Sequence, residues 1–295
     1  MNGDAILPAI CAHLAAALDA PHPRYRPWRV DGHALGLVDD ARAERLAAFD
    51  DVFAVTDDAV TFVPGLVTES VRSEAMARVA RALRAAGELP AWRDELYAVA
   101  PSFDAPMAFA LERGAARWFG IRTYAAHVNG CVAAAEGMML WFARRSAAKA
   151  IDPGMLDNLV GGGIAAGATV ADTVVRESWE EAGIPAAIAR TAQPHGALRL
   201  RRAFTDGLQD ETIYVHDLAL AAEFQPANQD GEAVEHRLVD LRGAAALIAA
   251  RDGPDVVTVD ASLDTLDFLL RPGTFAATAA RADAAALRDG LAATP

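Results

Sequence analysis

A glycine-rich stretch that leads into an acidic helix, Gly161 to Ile184, constrains the fold of this chain more than any other segment. Its sequence is GGGIAAGATVADTVVRESWEEAGI, and its glycines predict a tight turn, because glycine adopts backbone conformations that other residues avoid. Thr169, with Asp172 three residues later, resembles a capping box and predicts that a helix begins near Val170. Gly183 is typical of the residue that ends such a helix. The sequence therefore predicts a glycine turn joined directly to a helix.

Three carboxylates share one side of this predicted helix. At 100° per residue, Glu177, Glu180 and Glu181 fall within an arc of about 100°. A different, mostly apolar face carries four other side chains: Ala171, Val175, Ser178 and Ala182. The like charges destabilise the helix by roughly a few tenths of a kcal/mol per pair, and Arg176 offsets only part of this cost. Either the acidic face is solvated, or it binds a divalent cation such as Mg²⁺ or Mn²⁺, which prefers oxygen ligands.

The spacing of these residues resembles a known motif, the Nudix box, G-x5-E-x7-R-E-U-x-E-E-x-G-U, where U is hydrophobic. The matching positions are Gly162, Arg176, Glu177, Glu180, Glu181, Gly183 and Ile184. At ordinary residue frequencies such a match arises by chance in about 10⁻⁵ to 10⁻⁴ of chains this long. Two positions depart from the box: Ala168 stands where its first glutamate is expected, and Ser178 where a bulky hydrophobic residue is expected. The missing glutamate leaves the number of metal ions open, and Ser178 predicts close packing of the helix on a sheet.

The resemblance extends beyond the box. Similar stretches are AHVNGCV (126–132), FARRSAAKA (142–150), PGMLDNLVGGG (153–163), DLAL (217–220) and NQDGEAVEHRL (228–238). They resemble the Nudix part of fungal thiamine pyrophosphokinase proteins and related bacterial proteins with an extra N-terminal domain, which RYRPWRVDGHALGLVDD also resembles. The resemblance implies an α/β protein: a Nudix α/β/α sandwich on a mixed sheet, preceded by a small α/β N-terminal domain.

The resemblance also implies an activity. A member of this group is expected to be a Mg²⁺-dependent pyrophosphohydrolase that cleaves thiamine diphosphate, or its oxidised or damaged analogues, to the monophosphate and phosphate. Two alternatives stay open. One is a Nudix hydrolase of nucleoside diphosphate derivatives such as ADP-ribose or dinucleotides, and the other is a non-catalytic Nudix-like module that binds a ligand or partner. The intact R-E-x-x-E-E sequence argues against the second alternative.

Within the box, hydrolysis of a diphosphate requires neutralisation of the phosphate charge, which metal ions supply. Glu177 and Glu181 are the expected first ligands of Mg²⁺ (or Mn²⁺), with Glu180 as the third and a backbone oxygen near Gly161 completing the shell. Arg176 is expected to orient Glu177 through a charge-assisted hydrogen bond.

Beyond the box, a later loop commonly supplies the general base or a further metal ligand in this superfamily. The DGEA stretch makes Glu232 the candidate, with Glu235 in reserve and His236 less favoured. On position alone, Glu232 could equally be an ordinary exposed loop carboxylate.

Substrate-binding residues are expected upstream of the box. Arg144, Arg145 and Lys149 form a cationic cluster suited to a diphosphate, although a solvated strand end would look the same. Asn158, with Asp157, is expected to hold the loop that enters the helix and to lie at the substrate site. An aromatic side chain should stack on the organic ring of the substrate, and ordinary core packing is the competing interpretation for each candidate. These candidates are Trp118, Phe119, Tyr124 and Trp141.

Three segments are expected along the chain: an N-terminal accessory α/β domain over 1–120, the Nudix domain over 121–275 and a C-terminal helix over 276–295. The first should contain two short hairpins, with turns at Asp31-Gly32 and Asp57-Asp58, and a helix over about 69–86. Paired strands begin after Gly120. The accessory domain could either cap the active site or form a dimer interface.

Composition excludes several classes of protein. The 295 residues are 53% hydrophobic and 23% charged, as in ordinary globular chains. A formal net charge of −13 argues against nucleic acid or an anionic membrane as the main partner, and no apolar run approaches about 18 residues. Cys11 and Cys131 fit neither a disulfide framework nor a metal site. We therefore expect a cytoplasmic enzyme with a small-molecule diphosphate substrate, and a homodimer on general grounds.

Overall fold

A computed structural model describes residues 3–18 and 24–271, together with the single positions 274, 285, 286 and 289. Apart from those single positions, the predicted C-terminal helix over 276–295 lies outside the described residues. In the part of the chain that is described, no helix is both long and apolar enough to cross a membrane.

The N-terminal part of the chain contains helices of varied length and short strands. In order these are α1 (Gly3–Leu18), β1 (Tyr25–Val30), β2 (His33–Asp39), α2 (Asp40–Leu46), β3 (Phe53–Val55), β4 (Val60–Phe62), α3 (Glu69–Ala85), β5 (Leu96–Val99), β6 (Phe109–Glu112) and α4 (Ala116–Phe119). Strands β2-β1-β4-β3 form a four-stranded sheet, and β5 pairs with β6. Asp31 and Gly32 both have positive φ, 49° and 84°, as a two-residue hairpin turn requires. The predicted hairpins and the helix over about 69–86 are confirmed.

The remainder of the chain is built on a larger sheet. Its elements are β7 (Arg122–Ala134), β8 (Gly137–Arg145), β9 (Leu156–Asn158), β10 (Val160–Gly163), α5 (Val170–Ala182), α6 (Ala186–Ala189), β11 (Gln193–Phe204), β12 (Gly207–Leu220), β13 (Ala233–Asp240), α7 (Leu241–Ala249) and α8 (Val259–Leu270). The order is β11-β12-β7-β8-β13, with β10 beside β7 and β9 beside β8. Strands β7 and β12 run parallel and the other neighbours antiparallel, which confirms the predicted mixed sheet.

Helices cover both faces of this sheet. Residues along β7 point alternately to the two faces, so each face contributes apolar side chains to a different cluster. Ala126, Val128 and Val132 pack in one apolar cluster with α5. Ala125 and Cys131 belong to a second cluster, on the other face, with α7 and α8. The predicted α/β/α sandwich is therefore confirmed.

The first helix does not pack with the rest of the predicted N-terminal domain. Ile6, Leu7, Ile10 and Leu14 are buried in the same cluster as α7 and α8. These residues recur every three or four positions and so form one apolar stripe, which requires a large apolar partner. The seven-stranded half supplies that partner, so the segment 1–120 is not one packed unit.

Candidate active site

The acidic helix has the ends that the sequence predicted. The Thr169 Oγ1 atom accepts a hydrogen bond from the backbone N–H of Asp172 (3.1 Å), and α5 begins at Val170. At its other end Gly183 has φ 64°. An added Cβ there would lie 2.8 Å from the Ala227 carbonyl oxygen, so both the backbone conformation and the close approach require glycine.

The predicted separation of an acidic from an apolar face of α5 is wrong. Glu177 and Glu181 are only 6% and 7% exposed, and they share the buried side of the helix with Ser178. Ala171, which we expected on the apolar face, is exposed. Helical periodicity alone missed this arrangement, because the surface opposite the two glutamates is a strand of glycines with room for carboxylates.

That strand, β10, contacts both glutamates. The backbone N–H of Gly161 donates a hydrogen bond to Glu181 Oε2 (2.9 Å). At Gly162, an added Cβ would lie 2.1 Å from the Glu177 carboxyl carbon, so any larger residue would displace that side chain. The glycines of the box thus hold both carboxylates against the strand.

Burial makes this pair of carboxylates electrostatically unfavourable. Burial raises the pKa of Glu177, and Arg176 opposes that shift. Burial, followed by the charge of Glu177, raises the pKa of Glu181 to about 8, although the Gly161 N–H acts in the opposite direction. Arg176 binds Glu177 Oε1 at 2.7 Å and Glu180 Oε2 at 2.9 Å, the geometry that an orienting role requires. Glu180 is the most exposed of the three glutamates.

The donor set suits a hard divalent cation. Two buried carboxylates with an excess of negative charge are the oxygen ligands that Mg²⁺ and Mn²⁺ prefer. Within the described ranges, no three His, Cys, Asp or Glu side chains are arranged as a ready-made metal site. Glu177 and Glu181 therefore fit as ligands that need further oxygen donors, such as water and substrate phosphate.

A cavity of about 670 Å³ adjoins the glycine strand, and both halves of the chain line it. Gly161, Gly162 and Gly163 form part of its wall, so the cavity meets the strand that holds Glu177 and Glu181.

Arg145 and Lys149, two of the three predicted phosphate-binding cations, lie in this cavity. Arg145 Nη1 is 2.7 Å from Asp157 Oδ2. Lys149 is paired with Glu232, the candidate base, which also lines the cavity. Burial, followed by the positive charge of Arg145, lowers the pKa of Lys149, although Glu181 acts to raise it.

Arg144 does not lie at the cavity. Its side chain bonds to Glu235 (2.5 Å) and Asp255 (2.6 Å), because adjacent residues of a strand point to opposite faces. Our expectation that Arg144 binds the diphosphate is therefore corrected, and Glu235 is no reserve base, because it lies with Arg144 away from the cavity.

Asn158 does not lie at the substrate site, where we expected it. It is 2% exposed and lies beneath the cavity, where its Oδ1 accepts a hydrogen bond from His127 Nδ1 (2.9 Å). Its amide donates to Asn129 Oδ1 (3.0 Å). Asn158 thus positions His127, which lines the cavity, and does not itself reach the substrate space.

The loop that follows β12 docks on the C-terminal end of α5. The backbone N–H of Gln229 donates to the Glu180 carbonyl oxygen (2.7 Å), and that of Ala227 donates to the Ala182 carbonyl oxygen (3.0 Å). His236 Nε2 lies 3.1 Å from the Glu181 carbonyl oxygen. These donors satisfy carbonyls that a helix end leaves unpaired, and they connect the segment carrying Glu232 to the box.

Of the four aromatic candidates for stacking, only Trp118 lines the cavity. Phe119 is buried beside Trp28, with ring centroids 5.3 Å apart. Tyr124 packs against Phe103, and Trp141 lies in the cluster below α5. Core packing is thus the correct interpretation of these three.

The N-terminal part of the chain contributes two further residues to the cavity that we did not expect there, Tyr97 and Arg113. The Tyr97 hydroxyl would lie 2.0 Å from a Cβ added to Gly163, and Arg113 Nη1 binds Glu95 Oε2 at 2.6 Å. Although burial opposes it, Tyr97 and Glu95, with a contribution from Glu177, raise the pKa of Arg113. No spacing in the sequence marks these residues, because they reach the box only through the tertiary fold.

Comparisons with known proteins agree with this architecture. Residues 123–258 match the family model described as "NUDIX domain", and residues 11–123 match a "Domain of unknown function (DUF4743)". "Nudix hydrolase 20, chloroplastic" of Arabidopsis thaliana is 35% identical over 256 residues, which are 84% of this chain and 68% of the relative. "Nudix hydrolase 24, chloroplastic" of the same plant is 34% identical over 249 residues, 84% of this chain and 67% of the relative.

Among solved structures, the crystal structure of DR0079 from Deinococcus radiodurans is 21% identical, with a TM-score of 0.42, and the match covers 58% of this chain and 95% of that one. The two Arabidopsis relatives show the family, and the box and the mixed sheet are consistent with it. The chain belongs to the Nudix hydrolase family and is a Nudix-type diphosphate hydrolase.

Proposed function

We propose that this enzyme hydrolyses thiamine diphosphate, or its oxidised or damaged analogues, to the monophosphate and phosphate, with Mg²⁺ as its cofactor. One observation carries the hydrolytic part of the proposal. The buried carboxylates Glu177 and Glu181 contact the same glycine strand that lines a cavity containing Arg145, Lys149 and Arg113. The choice of thiamine rests on the sequence stretches around the box that resemble the thiamine-related Nudix group.

The three cations suit a diphosphate. An anion entering the cavity meets Arg145, Lys149 and Arg113, each of which is partly neutralised by one carboxylate. Guanidinium groups bind phosphate oxygens in a fork, and an ammonium acts as a point charge. We infer that these residues orient the diphosphate beside the glycine strand.

Mg²⁺, when bound, would supply positive charge to the phosphate and lower the pKa of a water molecule. Glu177 and Glu181 would hold it, with Glu180 and a backbone oxygen near Gly161 as further donors. Arg176 keeps Glu177 and Glu180 in place through its two ion pairs. The chain's own contribution is thus a fixed anionic site next to a fixed cationic one.

Hydrolysis forms one P–O bond from water and breaks the bridging P–O bond, so a base must take a proton from the attacking water. Glu232 is the proposed base, because it lines the cavity and pairs with Lys149. Once Lys149 turns to the diphosphate, Glu232 is left to accept that proton.

Product analysis by ³¹P NMR tests the proposal. The purified protein with Mg²⁺ is offered thiamine diphosphate, its oxo and oxy analogues, ADP-ribose, NADH and a nucleoside triphosphate. We expect monophosphate and phosphate from the thiamine compounds alone. Turnover confined to the nucleotides would contradict the thiamine proposal and leave the hydrolase intact.

A further inference from the structure

A small acidic wall closes one side of the cavity, formed by Gln209, Glu211 and Asp260. Gln209 and Glu211 are two residues apart on β12 and so face the same way, and Asp260 lies in the first turn of α8. The Gln209 amide nitrogen donates to Glu211 Oε2 (2.8 Å) and to Asp260 Oδ2 (3.1 Å). The neutral amide of Gln209 therefore donates to both carboxylates.

These two carboxylates form no direct ion pair within the described part of the chain. Among the described residues, no Arg, Lys or His nitrogen lies within 4 Å of Glu211 or Asp260. Six of the seven other acids that line the cavity do have such partners, among them Glu95 with Arg113, Asp157 with Arg145, and Glu232 with Lys149. The Thr123 hydroxyl donates to Glu211 Oε1 at 3.2 Å, which adds a neutral donor and no positive charge. The wall therefore carries negative charge that no direct ion pair in the described chain neutralises, and the positive charges of His127 and Arg202 act on Asp260 only from a greater distance.

Two polar atoms of the same wall also lack a hydrogen-bond partner among the residues that the structure describes. Gln209 is 6% exposed, and its Oε1 atom is buried with no partner, as is Asp260 Oδ1. Native proteins leave few buried acceptors unsatisfied, so such a pair calls for a missing donor. Burial, followed by the charge of Glu211, raises the pKa of Asp260 to about 6, and His127 opposes that shift. A positively charged ligand would relieve both the charge and the missing hydrogen bonds.

We propose that Gln209, Glu211 and Asp260 form a subsite for the organic part of the substrate, and that this part is a cation bearing N–H donors. The inference rests on the proposed function in one respect: thiamine carries a positively charged ring and an amino group, and so has both properties. The cavity then binds the anionic diphosphate at Arg145, Lys149 and Arg113, and its acidic wall selects the organic part of the substrate.

The subsite also works by exclusion. A diphosphate whose organic part carries a further phosphate would bring negative charge toward Glu211 and Asp260, and like charges repel. The wall therefore favours cationic over anionic organic parts, even where both carry the same diphosphate.

Calorimetric titration with thiamine itself tests the subsite without phosphate, metal or turnover. The matched probe is the isostere in which a neutral thiophene replaces the thiazolium ring. We expect the wild-type protein to bind thiamine at least about tenfold more tightly than the isostere, the effect of a charged hydrogen-bonded contact. Glu211→Gln and Asp260→Asn should each remove most of that difference.

Glu223→Gln is the control variant, since it makes the same charge change at an exposed position outside the cavity. It should leave the preference for thiamine unchanged. Thermal unfolding checks that Glu211→Gln and Asp260→Asn fold, which we expect because each change relieves repulsion. Equal binding of thiamine and its isostere by the wild-type protein would overturn the subsite, whatever the variants do.

Failure of the subsite can be told apart from failure of the proposed function. If thiamine diphosphate is hydrolysed but the two probes bind equally, the subsite is wrong and the proposed function stands. If thiamine binds through Glu211 and Asp260 but its diphosphate is not hydrolysed, the proposed substrate is wrong and a cation-selective subsite stands.

Discussion

Glu181 is a buried carboxylate whose nearest compensation is one backbone N–H. Glu177 is paired with Arg176, whereas no arginine or lysine among the described residues lies within 4 Å of Glu181. An anion in this situation costs stability unless it is protonated or binds a cation. Glu181 therefore requires a proton or a bound cation that the described chain does not supply.

Glu181→Gln should abolish most turnover and leave the protein folded. We expect kcat to fall about 100-fold or more, since even groups that only support metal ligands are worth 10 to 100-fold. The melting temperature should stay level or rise, because the change removes repulsion with Glu177. Steady-state kinetics and thermal unfolding measure the two effects, with Glu74→Gln on the exposed side of α3 as the control. An unfolded or fully active variant would contradict the ligand role.

Gly162→Ala tests how the glycine strand holds Glu177. The new Cβ would meet the Glu177 carboxyl at about 2 Å, and that end of the side chain can move away. We therefore expect a large loss of kcat with a small change in melting temperature. Gly65→Ala is the matched control, because nothing lies within 4 Å of a Cβ at Gly65. Wild-type activity in Gly162→Ala would show that the position of Glu177 does not matter.

Helix α8 is the element whose environment the sequence least indicated. Eleven of its twelve residues are buried, among them Asp264 and Asp267. The helix carries three aspartates, Asp260, Asp264 and Asp267, and aspartate side chains are usually exposed. The helix is instead enclosed, because α1, α7 and the seven-stranded sheet share one apolar cluster with it.

Asp264 gives this helix a pH-dependent stability. Burial raises its pKa to about 7, against the opposing charge of His127 and the hydrogen bond from Asn129. Between pH 3.8 and 7 the folded protein therefore holds a proton that the unfolded chain releases, so the Asp264 contribution to stability falls as pH rises through this window. Asp264→Asn should remove that contribution.

Denaturant unfolding at pH 5 and pH 8 measures the effect. We subtract the free energy of unfolding of wild type from that of Asp264→Asn at each pH. This difference should be more positive at pH 8 than at pH 5. The same difference in free energy of unfolding at both pH values would be inconsistent with a raised pKa at Asp264.

Local signals predicted the two ends of α5 well, but the turn predicted at Gly161 to Gly163 is wrong, because these glycines lie in strand β10. Thr169, Gly183 and the box residues act within a few positions of one another, so their spacing carries the information. The position of Arg144 was not predictable in this way, because which face of β8 meets the cavity depends on a strand and a helix far away in sequence. The same holds for Asn158, which the sequence places beside Asp157 but the sheet turns beneath His127.

At the scale of the whole molecule, the N-terminal part of the chain forms a wall of the active-site cavity. Tyr97, Arg113 and Trp118 line it from segments that the family model of the Nudix domain does not include. Of the two roles that the sequence left open, capping the site therefore has structural support. The homodimer and the cytoplasmic location stay predictions.

Arg113→Ala should show that this wall contributes to substrate binding. We expect KM for the diphosphate substrate to rise about tenfold or more, because one charge-assisted contact to phosphate is lost. Arg78→Ala is the control. Arg78 lies on α3, outside the cavity, and forms an exposed ion pair with Asp51. An unchanged KM in Arg113→Ala would mean that the N-terminal part only encloses the site.

The most direct test of the hydrolase is its dependence on a divalent cation. Release of phosphate from thiamine diphosphate is followed by ³¹P NMR in EDTA and then after excess Mg²⁺, for wild type and for Glu181→Gln. We expect no wild-type turnover in EDTA, full recovery with Mg²⁺, and little recovery in the variant. Turnover that persists in EDTA, or equal recovery in both proteins, would contradict the role of Glu177 and Glu181 as ligands.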